Sequence, residues 1–369
     1  MNLIVRLTIA VIIITGGICQ AGAAESGETY DYLFVLPFQH SYYQPIDAMA
    51  LGQGNALDLA RGPSALFGNP ARMSDVGRYH LALAASNIAE GRSSLSVSTG
   101  ASNALPSLAA VSYDLGTSCF SLGWRRAMKA ALEFPDVQNP LVTDLAQLSL
   151  EQYAAGWSLS AIKHLVLGIS LCLSRFDFEW RGPNGTLAAG RGSGPCLAAG
   201  LSTDLGQDFW FSAGFRSKSE MSCITDFYGD TTGGKLKLAG AVPQAGWVSL
   251  SYFPEEGFET FAGMELTGWH LVSSGYLEQT DFHLGCRIEL PWNRLELSCG
   301  CYSLKHPLDP FLRRNDPFLQ DLFFLTGGVA CRMGPLRLTV SGASSRPLSG
   351  EGMNQNILSG GLEYLGKPL

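Results

Sequence analysis

From Tyr79 to the C-terminus, apolar and polar side chains alternate residue by residue through a series of short segments. In 281–290, Phe282, Leu284, Cys286, Ile288 and Leu290 share one face, and His283, Gly285, Arg287 and Glu289 share the other. The next segment sets Leu295, Leu297, Cys299 and Cys301 against Glu296, Ser298, Gly300 and Tyr302. Farther on, Leu336, Leu338 and Val340 oppose Arg337, Thr339 and Ser341. A period of two sends successive side chains to opposite faces of an extended strand. Sixteen candidate strands can be drawn, among them 194–204, 208–218, 234–242, 258–267 and 270–279.

The connections alternate in length. Tight links fall at Leu115-Gly116, 162–164, 205–207, Gly268-Trp269, 291–293 and Gly334, with longer ones at 129–150, 180–193, 219–233, 305–320 and 344–354. Short turns on one rim and long loops on the other predict an all-β fold, a transmembrane antiparallel up-and-down β-barrel of about 14–16 strands. An even strand number puts both ends of the sheet on the short-turn rim. A soluble sandwich would also alternate, but its water-facing surface would carry more Lys and Glu than these glycine-rich polar faces do. Trp124, Trp157, Trp180, Trp247, Trp269 and Trp292 fall near strand ends, as in the interfacial girdles of barrels. His283, Arg287, Glu289, Glu296, Arg332 and Arg337 lie on polar faces and are the candidate lumen-facing charges. Such charges pair with one another, hydrate a passage, or meet a polar solute.

Composition sharpens this picture. Only 15% of the 369 residues are charged and 43 are glycine, although the hydrophobic share of 46% is ordinary. Soluble domains carry about 25% charge and about 7% glycine, so water is a poor candidate for this chain's main solvent. A net charge of −7 with no basic run argues against a nucleic-acid partner. Residues 1–24 have the pattern of a secretory signal peptide, with Arg6, an apolar stretch from Leu7 to Ile18, and the small-x-small site Ala21-Gly22-Ala23. No later segment is apolar enough to be a membrane helix. The expected organisation is a signal peptide over 1–24, an N-terminal hatch or plug over 25–77, and an outer-membrane barrel over 78–369.

Residues 47–73 read DAMALGQGNALDLARGPSALFGNPARM. Gly52 and Gly54 permit backbone conformations closed to other residues. Pro70 fixes its own φ and holds Asn69 out of the helical region, so the chain must turn there. Gly52, Gly54, Ala65, Phe67, Asn69, Pro70 and Ala71 together resemble the N-terminal signature of the PorV/PorQ-like outer-membrane proteins, which are related to the FadL long-chain fatty-acid transporters. Arg72-Met73 replaces the Gly-Leu usual after Asn-Pro-Ala, and Gly68 replaces an aromatic. The resemblance implies a hatch folded into the lumen and residence in the outer membrane of a diderm bacterium, in contact with its lipid. It implies one of two roles: transport of a hydrophobic small molecule, or docking of a secreted protein or secretion-system component.

Nothing points to catalysis or to a cofactor. The six histidines show no metal spacing, and no Gly-x-Ser-x-Gly or His-Glu-x-x-His motif occurs. Of nine cysteines, Cys19 lies in the leader. Cys286, Cys299, Cys301 and Cys331 fall on apolar faces, whereas Cys119, Cys172 and Cys196 fall on inward ones. The alternation makes them small hydrophobes, with a Cys196–Cys223 bridge as the alternative.

Overall fold

The computed structural model describes residues 31–34, 45–74, 79–91, 102–135, 143–162, 164–183, 185–227, 234–271, 277–290, 294–306, 321–345, 347 and 354–366. The leader pattern of residues 1–24, Trp292 and most of the 305–320 connection lie outside them. The described strands are β1 (Asp31–Phe34), β2 (Tyr79–Gly91), β3 (Ser102–Asp114), β4 (Ser118–Pro135), β5 (Thr143–Ile162), β6 (Leu165–Gly182), β7 (Gly185–Gly206), β8 (Phe209–Arg216), β9 (Ser219–Phe227), β10 (Gly234–Val242), β11 (Gln244–Glu255), β12 (Phe258–Gly268), β13 (Gln279–Leu290), β14 (Leu295–Leu304), β15 (Leu322–Met333), β16 (Leu336–Ser344) and β17 (Asn354–Gly366). β2–β8 and β11–β17 close into one antiparallel barrel, with β17 on β2 and β8 on β11. That ring has 14 strands.

Two of the sixteen expected segments do not belong to the wall. Residues 234–242 form β10, which pairs with β9 and β1 in a separate three-stranded sheet. The segment 270–279 supplies no wall strand, because β12 pairs directly with β13; Trp269–Leu271 is a 3₁₀ turn, β13 begins at Gln279, and 272–276 lie outside the described residues. The Gly268-Trp269 link accordingly lies on the long-loop rim, because β12 rises from the short turn at Gly257. Alternation reports a strand with two unlike faces, and a strand inside the lumen satisfies that as well as one in the wall.

The short-turn rim is built from left-handed backbone. Gly116 has φ 94° and Gly334 φ 61°, values that favour a residue without a Cβ. The Asp114 carboxylate accepts from Gly116 N at 2.6 Å and tightens the first of these turns. On the opposite rim β4–β7 stand above the rest, at 18, 20, 18 and 22 residues.

The outer face of β6 shows where the environment changes. Leu167, Ile169, Leu171 and Leu173 point outward and are substantially exposed, Leu171 by 66%. The same row continues as Arg175, Asp177, Glu179 and Arg181, with ion pairs Arg175–Asp177 (3.3 Å) and Arg181–Glu179 (2.7 Å). From Leu165 to Leu173 the apolar row fits the roughly 9–11 residues of a membrane-crossing strand. Aromatic pairs stand in or beside the belt: Tyr79–Tyr113 (4.9 Å), Phe209–Tyr252 (4.5 Å) and Phe120–Trp157 (6.2 Å). Trp247 and Trp269 depart from the girdle reading, since both are buried. Trp247 lies against the inner face of Gly214, and the Trp269 indole donates to Gln279 Oε1 at 2.8 Å.

This division predicts a depth-dependent cost. In lipid vesicles Leu171→Arg should lower the unfolding free energy by about 2–4 kcal/mol, and Glu179→Lys by no more than about 1 kcal/mol. Denaturant titration of folded barrels checks both.

Candidate functional site

The lumen is filled by the segment 45–74. Asp47 caps the short helix α1 (Ala48–Gly52), its Oδ1 accepting from Ala50 N at 2.7 Å. Burial pushes the Asp47 carboxyl up to about 6, against the lowering effect of that backbone bond. The Gly52 carbonyl accepts from Thr326 Oγ1 at 3.1 Å. At Gly54, with φ 102°, the carbonyl faces His283 Nδ1 at 2.8 Å, which places a proton on that nitrogen. Beneath this turn Gly285 and Gly300 stand opposite each other on β13 and β14. A Cβ on Gly285 would run into the Gln53 carbonyl oxygen, and one on Gly300 would come within 2.9 Å of Gly54 N. The wall is therefore bare where the plug's backbone rests on it.

The second half of the plug is a pair of 3₁₀ turns, Gly62–Phe67 and Pro70–Ser74. Between them Asn69 is fully buried. Its amide donates to Asp58 Oδ1 (2.6 Å) and to the Leu201 carbonyl (3.3 Å), while its own Oδ1 accepts from Ala71 N (3.1 Å). Asp58 also receives Ser249 Oγ at 2.6 Å and Arg72 Nη1 at 3.2 Å. Three side chains, two from the plug and one from β11, thus converge on one carboxylate. Ala65, Leu66, Phe67 and Met73 pack with Ala82, Leu108, Ala110 and Ala154 of the wall. Side chains at Gly156, Gly168 and Gly200 would collide with Leu66, Pro70 and Asn69 respectively.

A charged lattice holds the plug's underside. Glu259 is 1% exposed and takes both bonds from Arg61 Nη2, at 2.5 and 2.6 Å, with Arg287 Nη2 at 3.3 Å. Arg287 is 3.7 Å from both Glu289 and Glu296, and Arg337 pairs with Glu296 and, at 3.7 Å, with Glu363. Arg61, Arg287, Glu289, Glu296, Arg332 and Arg337 line a cavity of about 170 Å³ toward the short-turn rim. His283 stands apart from them, higher in the lumen and stacked on Tyr302 at 5.9 Å. Gly52, Gly54, Ala65, Phe67, Asn69, Pro70 and Ala71 all lie buried within the plug. Sequence reasoning missed Asp58, Arg61, Arg72 and Glu259, which hold it in place. The signal that could have found them is charge placed where neighbouring residues are uniformly small or apolar.

Above the plug lies a second cavity of about 120 Å³. Ile46, Asn55 and Leu57 form its floor, and Trp269, Tyr302, Ile357, Arg125 and Arg216 are among its walls. Tyr302 stacks on Phe324 at 4.6 Å. The acidic Asp281 on its side is already engaged, by Lys305 N (2.9 Å), Ser303 Oγ (3.3 Å) and Gln279 Nε2.

The wall beside this level is incomplete. β8 has only 8 residues and pairs with β7 over Ala198–Gly206 alone. After one further exchange, Ser217 N to the Leu197 carbonyl at 2.8 Å and Leu197 N to Ser217 Oγ at 2.9 Å, the chain leaves the wall. It passes inside as β9, whose Ser222 N lies 3.0 Å from the Cβ position of Gly192. Leu197 turns its N–H toward the β8 side, so Pro195, two residues on, presents its missing N–H to the same edge. Proline is the residue an unpaired strand edge accommodates. The upper part of β7 therefore has β6 as its only wall partner among the described residues.

No protein-family model matches the sequence, and no curated protein matches it either. Solved structures do. A Pseudomonas aeruginosa FadL homologue aligns with a TM-score of 0.69 at 12% identity, covering 88% of this chain and 99% of that one. The Ralstonia pickettii toluene transporter TbuX aligns at 0.64 and 13% identity over 86% and 97% of the two chains. The P. putida toluene transporter TodX gives 0.63 and 13% over 88% and 99%. At these identities the likeness is one of fold: a closed barrel of 14 strands.

Glu259 supplies the mutational test of the plug's seating. Glu259→Ala leaves two largely buried guanidiniums without their shared partner and should cost about 3–5 kcal/mol. Hydrogen exchange should show this as lost protection in 45–74, with the barrel strands unchanged.

Proposed function

We propose that the protein is an outer-membrane barrel that passes hydrophobic small molecules through its side wall rather than down a water-filled pore. The observation that carries this reading is the break beside β7, next to a cavity floored by the plug. A solute entering from the cavity side would meet Ile46, Leu57, Trp269, Tyr302 and Ile357 set among polar side chains that include Arg125 and Arg216, and then an edge leading toward the exterior apolar belt. The belt on β6, the leader pattern and the closed ladder all support a membrane location. Resemblance of fold to transporters of toluene supports the class of solute. At about 120 Å³ the space above the plug is somewhat smaller than the roughly 150 Å³ cavity that holds benzene, so a single ring is the largest solute it approaches in size. No step in this reading requires bond chemistry or a cofactor. The seven motif residues act as the hatch; of the lumen-facing charges, His283 bonds its Gly54 carbonyl and Arg287 shares Glu259 with its Arg61.

The alternative role, docking of secreted proteins as in the PorV/PorQ-like group, rests on the motif at 47–73. It predicts a barrel whose presence leaves hydrocarbon uptake unchanged.

Uptake of labelled toluene by cells lacking their own hydrocarbon channels separates the two. Expression of this chain should raise the rate several-fold. Leu57→Trp, which fills the cavity from its floor, should remove most of that gain while the barrel still inserts. Equal uptake with and without the protein would overturn the transport reading.

A further inference from the structure

On the outward face of the wall, Cys286 and Cys299 stand directly opposite each other on β13 and β14. Their sulfurs are 3.2 Å apart. Directly opposed residues of an antiparallel pair have Cα atoms about 4.5–5.5 Å apart, inside the roughly 4.4–6.8 Å range a disulfide spans. Both side chains leave the sheet on the same face, so joining them requires side-chain rotation and no change of register. The other outward cysteines lack this arrangement. Cys301 faces Leu284 and Leu325, and Cys331 faces Leu295 and Leu338. Cys299 and Cys301 are two apart on one strand, where a bridge would be strained.

The position of the pair gives it a purpose. One residue away, on the inner face of the same two strands, Gly285 and Gly300 form the bare patch on which the Gln53–Gly54 turn of the plug rests. A cross-link behind that patch would hold its two strands in register while the plug moves. It would also restrict the unfolded chain by closing the hairpin between residues 13 apart.

We infer that Cys286 and Cys299 are joined by a disulfide in the mature protein, stapling the β13–β14 hairpin behind the plug's seat. The inference rests on the outer-membrane reading, because export takes the chain through an oxidising compartment. One thiolate attacks the disulfide of an exported dithiol oxidase and forms a mixed disulfide. The second thiolate then displaces the oxidase sulfur. The two cysteines lose two protons and two electrons, and the oxidase disulfide is reduced to a dithiol.

The test is peptide mapping of the full chain, expressed in a diderm host and lysed in the presence of a thiol alkylator. Trypsin leaves Cys286 in a peptide ending at Arg287, and Cys299 with Cys301 in the peptide 295–305. The expected result is a species that links these two peptides, two hydrogens lighter than its separate parts and split by reductant. It should persist in Cys301→Ser and vanish in Cys286→Ser and Cys299→Ser. In a host lacking the exported dithiol oxidase it should fall to a minor species. Alkylation of both Cys286 and Cys299 in detergent-extracted, outer-membrane barrel would overturn the staple and leave the transport reading standing. Recovery of the chain as a detergent-free soluble protein would instead remove the transport reading. The same digest would still decide the staple, for it if the peptides are linked and against it if they are not.

Discussion

Hydrocarbon offers no partner to a peptide group, so a sheet that crosses a bilayer must pair every strand with two neighbours wherever other protein does not cover its edge. That constraint governs the rest of the molecule. It forces the ring to close, with β17 against β2 and β8 against β11. It turns the large apolar side chains outward, the reverse of a water-soluble core. The interior must then be occupied by something that the wall can hold without a strong hydrophobic drive. Here a separate stretch of chain fills it, seated on glycine and fixed by buried charge.

The seat explains the plug's composition. Small residues on the plug meet glycines on the wall, so backbone lies almost against backbone at Gly54, Gly285 and Gly300, and again where Pro70 and Ala71 meet Gly168. Close contact of this kind gains dispersion energy but tolerates no added carbon. Asp58 and Glu259 supply direction: each collects donors from the plug and from the wall, or from distant parts of the plug itself. A plug held this way has a defined closed state. Its attachments combine these buried polar contacts with the apolar packing of Leu66, Phe67 and Met73 on the wall, so its release requires breaking both together.

Much of the wall was legible in the chain because lipid outside and a polar lumen inside impose a strict period of two. Phe282, Leu284 and Ile288 are exposed outward as that period requires, and His283 is buried on the other side. The same rule could not separate wall strands from luminal ones. β10 alternates well enough to count as wall but pairs with β9 inside the barrel, and 270–279 alternates too although β12 pairs directly with β13. The motif around Asn69 was visible as a cluster of unusual residues. Its partners were not: Ser249 and Glu259 lie some 190 to 200 positions away in the chain. Only closure of the ring brings them to Asp58 and Arg61. Pro195 illustrates the same limit, since it marks an edge only once the strand beside it is seen to leave.

The account's central claim is that the lumen is plugged and that passage is lateral. Conductance across a planar lipid bilayer tests it most directly. A plugged barrel should show no steady ionic current after insertion. Toluene added to one side should cross faster than through protein-free lipid. A stable, ohmic current of the size given by an open water-filled pore would contradict the claim.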